Sequence, residues 1–413
     1  MIIIHIMNDF PYSRLALSSL RERLDAMPAV VVTGARQAGK STLVRDLAGG
    51  RRRYWNLDDW EVLDLARRSP DVLVQSPEPV TIDEIQREPA LLVAVKREID
   101  RSREPGRFLL TGSSDLLMMR DVSESLAGRS SYMTLWPMTR RETLATGSCG
   151  IWDHLLQNRD AGWEEVLAGH SVPRDDWRLL AMRGGFPTPS LHMQMARERE
   201  IWFEGYVHTY VERDLRELSS ITGLSDFRRL MRAVCLRIGQ LVNQTKLGRD
   251  VGLAQPTVHR WLNLLETSYL LVRVPAYASN RTKRLIKSPK FYWSDTGLAM
   301  HIAQEPEPRG AHLENLVLSD LLAWRDIRLD RAGIFHWRTV GGEEVDFVIE
   351  TADGLLPIEV KATARPRLGD VSNLRLFRQE YGEQARSGLL LHTGEDVGWI
   401  TPEVLVVPWW RVL

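Results

Sequence analysis

Cysteine is almost missing from this 413-residue chain: only Cys149 and Cys235 occur, far apart, with no Cys/His cluster at metal-ligand spacing. That leaves no thiolate metal site to expect and fits a reducing, cytosolic setting. Net charge is missing too, since 54 basic and 54 acidic residues balance to zero, which removes any global attraction to a polyanion and leaves the case to local basic patches. No apolar run is long enough to span a bilayer, so no membrane partner is expected. The start Met1–Ile6 has no basic region and runs into Asn8-Asp9-Phe10-Pro11, so it fails as a signal peptide. Repeats and low-complexity tracts are absent. The length exceeds one ordinary core, and two to four domains are expected.

What is present begins at Val30-Val31-Val32-Thr33, an apolar β-branched run that ends in Gly34-Ala35-Arg36-Gln37-Ala38-Gly39-Lys40-Ser41-Thr42 and continues into the helical Leu43–Leu47. Strand, phosphate loop, helix is the order the chemistry needs. Gly34 and Gly39 allow a close approach that a Cβ would block, so successive N–H groups can point at a triphosphate on a helix N-terminus. Lys40 would meet the β/γ-phosphates and the Ser41 hydroxyl a magnesium ion. ATP and Mg²⁺ are therefore the expected ligands of Gly34 to Thr42.

Leu15, Leu17, Leu20 and Leu24 predict a helix ahead of this strand. Tyr54–Asp58 reads as a second strand, and Val80-Thr81-Ile82-Asp83-Glu84 as a third, closing on two acids. At the carboxyl end of a parallel strand, Asp83 would hold magnesium through water and Glu84 would polarise the attacking water. Acids that merely start a helix are the alternative. The strand Arg107–Ser114 ends in hydroxyls; Thr111 or Ser113 would sense the γ-phosphate, or simply cap a helix. In a nucleoside triphosphatase, this strand lies between the other two.

These motifs, with Asn56-Leu57-Asp58-Asp59, Ile82–Gln86, Phe108–Ser114 and Ser125-Leu126-Ala127-Gly128-Arg129, resemble the AAA_14 family of AAA-type ATPases, with Ala35 where many relatives carry proline. Arg183-Gly184-Gly185-Phe186-Pro187 and Tyr210-Val211-Glu212-Arg213-Asp214 resemble the DUF4143 region that follows the ATPase in that family. The resemblance implies a homo-oligomer in which an arginine of one subunit reaches the γ-phosphate of the next. Arg129, Arg183 and Arg213 are the candidates, with Arg129 the expected catalytic one; each could equally be a structural ion-pair partner.

From about Arg140 to Arg232 the chain shows helical spacing and many tryptophans, among them Trp152, Trp163, Trp177 and Trp202, which read as packing residues of a helical lid. Leu241–Leu265 reads as helix, glycine turn, helix, with Leu247, Val251, Val258, Leu262 and Leu265 as its apolar face. Strands at Tyr269–Pro275 and Phe291–Trp293 would give it a wing, and between them Asn280–Lys290 carries five basic residues and no acid. DNA is the expected partner of that loop; a solvated loop or a protein-contact surface is the alternative.

After the loop Gln304–Gly310, Glu314 shares a helical face with Val317, Leu318 and Leu321. The strand Glu343–Ile349 places Glu344 and Asp346 on one side and Val345, Phe347 and Ile349 on the other, and Pro357–Lys361 pairs Glu359 with Lys361. Asp346 and Glu359 can bind Mg²⁺ or Mn²⁺ through oxygen, Lys361 would position or activate water, and Glu314 could complete the site. Asp followed by Glu-x-Lys resembles the PD-(D/E)xK nuclease fold, with Val345 in place of proline. A salt-bridged relic in a domain that only binds is the other reading.

The expected architecture is α/β: an AAA-type P-loop core over 1–143, a helical lid over 144–232, a winged helix over 233–303 and a nuclease-like domain over 304–413. The expected activity is Mg²⁺-dependent ATP hydrolysis coupled to DNA binding or processing, or else a nucleotide switch for a protein partner with a nuclease-like domain that is inactive.

Overall fold

The computed structural model describes residues 14–47, 51–112, 126–147, 150–170, 172–209, 223–330 and 332–413. Ser113, Ser125, Cys149, Tyr210–Asp214 with Arg213, and the side chain of Lys283 lie outside the described residues.

The front of the chain forms a five-stranded parallel sheet from β1 (Ala29–Thr33), β2 (Arg53–Asn56), β3 (Val80–Asp83), β4 (Phe108–Thr111) and β5 (Ser130–Thr134), in the order β2-β3-β4-β1-β5. Strand β4 stands between β1 and β3, as expected, with Val30 opposite Leu109 and Ile82 opposite Leu110. Why β1 is an unbroken β-branched run follows from its place: Ala29 and Val31 enter the core under Leu91, Val95 and Ile99, while Val30 and Val32 enter the one under Leu20 and Leu24. Each valine so buried contributes roughly 1.5–3 kcal/mol.

The stretch expected as one lid divides between two cores. Trp152, Trp163 and Trp177 pack into the rear domain, whereas Phe186, Phe203 and Tyr206 join the core that holds Ala35 and Ala38 of the phosphate loop. Half-buried Trp202 stacks on Tyr206, 5.3 Å between ring centroids. The middle unit contains the helices Leu224–Cys235, Gln244–Val251 and Gln255–Thr267 beside a small antiparallel sheet of β6 (Gln240–Leu241), β8 (Lys290–Trp293) and β7 (Leu271–Val274). Asn243 caps its helix by accepting from the Lys246 N–H.

The basic stretch 280–290 is not a free loop. Arg281–Ile286 is helical, and Arg284 makes a bidentate pair with Glu350 at 2.7 and 2.8 Å, over the rings of Tyr277 and Phe335. Lys290 is buried at the start of β8. Two of the five cations are thus spent inside the molecule.

The rear domain is a six-stranded mixed sheet of β9 (Gly333–Arg338), β10 (Glu344–Thr351), β11 (Gly354–Lys361), β12 (Gly388–His392), β13 (Gly398–Thr401) and β14 (Val404–Pro408), ordered β13-β14-β12-β11-β10-β9. Helix Gly310–Ile327 covers one face and Ser372–Tyr381 the other. The alternation expected along β10 fails at its start. A register shift between Val345 and Val348 puts Val345 in the core with Leu374 and Phe377, opposite Phe347 and Ile349, because a bulge adds one residue to the pleat. Helix Gly310–Ile327 also reaches the front, where Asp326 accepts from the Trp136 indole at 2.7 Å. No helix among the described residues is long and apolar enough to cross a membrane.

Candidate functional site

At the end of β1 the chain turns under steric compulsion. A Cβ on Gly34 would lie 2.2 Å from the Leu135 carbonyl oxygen, and the residue holds φ +140°. Gly39 (φ +95°) then starts the helical turn Lys40–Thr42, whose first N–H groups have no partner within the helix. Lys40 is 4% exposed and curls beneath the loop, donating to the carbonyls of Gly34 at 3.0 Å and Ala35 at 2.9 Å. Burial lowers its pKa to about 8, against the opposing pull of Glu84 and Asp83, which therefore lie within electrostatic reach.

Asp83 closes β3 and is 1% exposed. One of its oxygens accepts from the Tyr54 hydroxyl of β2 at 2.6 Å, and the other from the Thr111 hydroxyl of β4. Thr111 in turn accepts the Glu84 N–H at 3.2 Å, so the strand between β1 and β3 pins both acids. Glu84 sits in the left-handed region at φ +58°, an uphill conformation for a residue with a Cβ, and its carboxylate takes the Gln86 amide. Tyr54 and Gln86 were not singled out in the sequence; only their strand and its polar end were visible. The donor set suits magnesium and a triphosphate: a helix-start hydroxyl in Ser41, a carboxylate in Asp83 and backbone amides at a helix start.

The loop is also held from outside. Arg14, 7% exposed at its side chain, donates to the carbonyl oxygens of Ala38 at 2.7 Å and Trp136 at 2.6 Å, and pairs with Glu142 at 2.9 Å. Glu142 further accepts from the N–H groups of Leu15 (2.7 Å) and Thr139 (2.9 Å). Tyr206 donates to the Arg36 carbonyl at 3.2 Å, and Tyr269 to the Thr33 hydroxyl at 2.9 Å. Three distant segments therefore converge on one loop.

Of the candidate arginines, Arg129 leads into the amino end of β5 and pairs with Asp100 at 2.6 Å. The phosphate loop is at the carboxyl end of the neighbouring β1, a strand's length away. Arg183 is half-buried, its charge disfavoured first by burial, and the glycines after it serve Asp295, which accepts the N–H groups of Gly185 (2.6 Å) and Phe186 (3.2 Å).

In the rear domain Asp346, Glu359, Lys361 and Glu314 do come together, yet each acid is already engaged. Asp346 accepts the Lys290 ammonium at 3.0 Å on one oxygen and the Val360 N–H at 2.9 Å on the other. Lys290 also touches Glu344. Glu359 pairs with Lys361 at 2.5 Å, and Glu314 accepts the Tyr292 hydroxyl at 3.2 Å. Burial first, then the charge of Asp346, raises the Glu359 pKa to about 8 and pushes Glu314 well above the carboxylate range. Among the described residues no group of three acid, histidine or cysteine side chains is arranged to hold a metal. Of the residues expected to hold Mg²⁺ or Mn²⁺, Asp346 faces the Lys290 ammonium, Glu359 pairs with Lys361 and Glu314 accepts from Tyr292.

Against known proteins, residues 26–144 match the AAA domain AAA_14, 174–309 a domain of unknown function, DUF8612, and 309–412 another, DUF4143. The stretches Arg183–Pro187 and Tyr210–Asp214, read from sequence as DUF4143, thus fall in the DUF8612 match. An uncharacterized protein of Mycobacterium tuberculosis is 29% identical over 96% of this chain and 83% of its own length. One of Haemophilus influenzae is 23% identical over 85% of this chain and 86% of its own. Among solved structures, a Walker-type ATPase of Pyrococcus abyssi is 15% identical, covering 70% of this chain and 94% of that one at a TM-score of 0.45. The chain thus carries a match to the AAA_14 AAA domain over its phosphate loop and acid-tipped β3, and a match to DUF4143 over its rear sheet.

Proposed function

We propose that the front domain hydrolyses Mg²⁺-bound ATP and that this cycle governs contact between DNA and the middle unit, which we read as a winged helix. The observation that carries the first part is the placing of Asp83 and Glu84 across β4 from the phosphate loop, with the Lys40 ammonium in reach of both. Gly34 to Thr42 would cradle the phosphates, with Lys40 set against the charge on the transferring phosphoryl group. The Ser41 hydroxyl and Asp83 would hold the magnesium ion, which when bound draws charge from the phosphate oxygens. Glu84 orients the attacking water and accepts its proton at a carboxylate oxygen, once Gln86 gives that oxygen up. Thr111 keeps both acids in register with the loop. In Glu84→Gln, ATP should stay bound while turnover falls at least ~100-fold; a variant as fast as wild type removes Glu84 from the mechanism.

Arg129 fits the same reading only as a residue acting on a neighbouring copy. Specific activity that rises with protein concentration, and does so no longer in Arg129→Ala, is the expected sign.

For DNA, the helix Gln255–Thr267 exposes Gln255, His259 and Arg260, next to exposed Lys246 and Arg249, while Val258, Trp261, Leu262 and Leu265 face the core. Tyr269, two residues beyond that helix, donates to the Thr33 hydroxyl at the end of β1, next to the phosphate loop. Binding should weaken with salt along a linear log-log slope, and Lys246→Glu with Arg260→Glu should flatten it. Unchanged affinity in that double variant refutes the DNA reading.

A further inference from the structure

The rear acid cluster is built around a cation that the chain supplies itself. Strand β8 lies between β6 and β7, with Lys290 opposite Leu241 and Val274, so its backbone is fixed on both sides. Lys290 and Tyr292, two residues apart, point to the same face of that strand. Both reach into the rear domain: the ammonium to Asp346 and Glu344, the hydroxyl to Glu314. Lys290 is 1% exposed and cannot turn to water without β8 leaving its sheet. A divalent ion on Asp346 would sit beside this ammonium, with like charges in a site water does not screen. Both Asp346 oxygens are already held by the protein, the second by the Val360 N–H that follows Glu359 in β11. Lys361 pairs with one Glu359 oxygen, and the other oxygen is buried with no hydrogen-bond partner among the described residues.

We infer that Lys290 stands where a metal ion would, so that the rear domain clasps the middle unit through an internal ammonium and does not cleave nucleic acid by a metal-dependent route. The acids are then a socket that keys β8 to β10 and the helix Gly310–Ile327. This inference rests on the rear cluster alone and is independent of the ATPase reading.

The test is a count of bound Mn²⁺ on the nucleotide-free full chain, by the loss of the free-ion paramagnetic resonance signal, with Asp83→Asn to subtract the front site. Wild type should bind no Mn²⁺ beyond that subtraction, and supercoiled plasmid should stay intact with Mn²⁺. Lys290→Met should gain one equivalent, lost again when Asp346→Asn is added. A wild-type equivalent that Asp346→Asn removes, or plasmid nicking that Asp346→Asn abolishes, overturns the inference. So does a folded Lys290→Met that binds no more Mn²⁺ than wild type. If Lys290→Met does not fold, the wild-type count decides alone: none bound supports the inference and one bound overturns it.

Discussion

Replacing Arg14 by methionine keeps most of the side chain's volume and removes its charge. Glu142, 3% exposed at its side chain, would keep only the amides of Leu15 and Thr139, and the carbonyls of Ala38 and Trp136 would each lose a donor. Breaking a buried pair from one side costs about 3–5 kcal/mol, and because both groups are buried, solvent screening does not reduce it. A multidomain chain does not unfold in one step, so the loss is better read locally than from a global midpoint. The amide of Leu43 donates to the Gly39 carbonyl and reports on the phosphate loop. If ~3 kcal/mol of the cost falls on that loop, its hydrogen exchange should quicken roughly 100-fold, and ATP affinity should fall with it. Glu142→Gln should cost less alone, and the double variant less than the sum, with a coupling above ~1 kcal/mol. Strictly additive variants, or unchanged exchange at Leu43, refute the claim that Arg14 and Glu142 hold the loop as a pair.

Lys40→Met should abolish ATP binding yet stabilise the nucleotide-free protein at pH 7 by up to about 3 kcal/mol. With the native pKa near 8 and the ordinary value of 10.5, the burial penalty is complete below pH 8 and fades as pH rises toward 10.5, so the melting-temperature gain should shrink over that window. Tyr54→Phe removes the hydroxyl from Asp83 without opening a cavity, and kcat/KM for Mg²⁺-ATP should drop about tenfold, as for loss of one hydrogen bond to a charged group. Asp320, buried against the Trp152 indole, has its pKa raised by burial from 3.8 to about 6. The native state holds that proton more tightly, so its stability is full below pH 4 and lost as pH rises through 6; Asp320→Asn should show a gain over wild type of up to ~3 kcal/mol at pH 7 and none at pH 4, by denaturation at both pH values.

What was legible in the sequence was whatever the chain writes locally. Gly34 through Thr42 names its own turn, helix start and ligand within nine residues, and Ile82-Asp83-Glu84 shows both the strand and the acid tip. Lys290 was legible only as one of five cations in a row, because its meaning comes from Asp346, 56 residues on. Arg14 and Glu142 are 128 residues apart, and neither neighbourhood hints at the other. Alternation along β10 misplaced Val345 because a bulge leaves no mark in a pattern of apolar and polar letters. The tryptophans of 144–232 announced burial but not in which core, since size decides that a side chain is buried while topology decides where.

The bond between Trp136 and Asp326 spans 190 residues, and beside it Arg23 donates to the Arg328 carbonyl. During synthesis the front sheet therefore emerges with one of its covering surfaces unmade, and waits about 10–40 s at ribosomal speeds for the helix that completes it. Over that interval β5, an edge strand of the sheet, lacks the helix that later lies against it, and an edge left bare is a template for pairing with other strands.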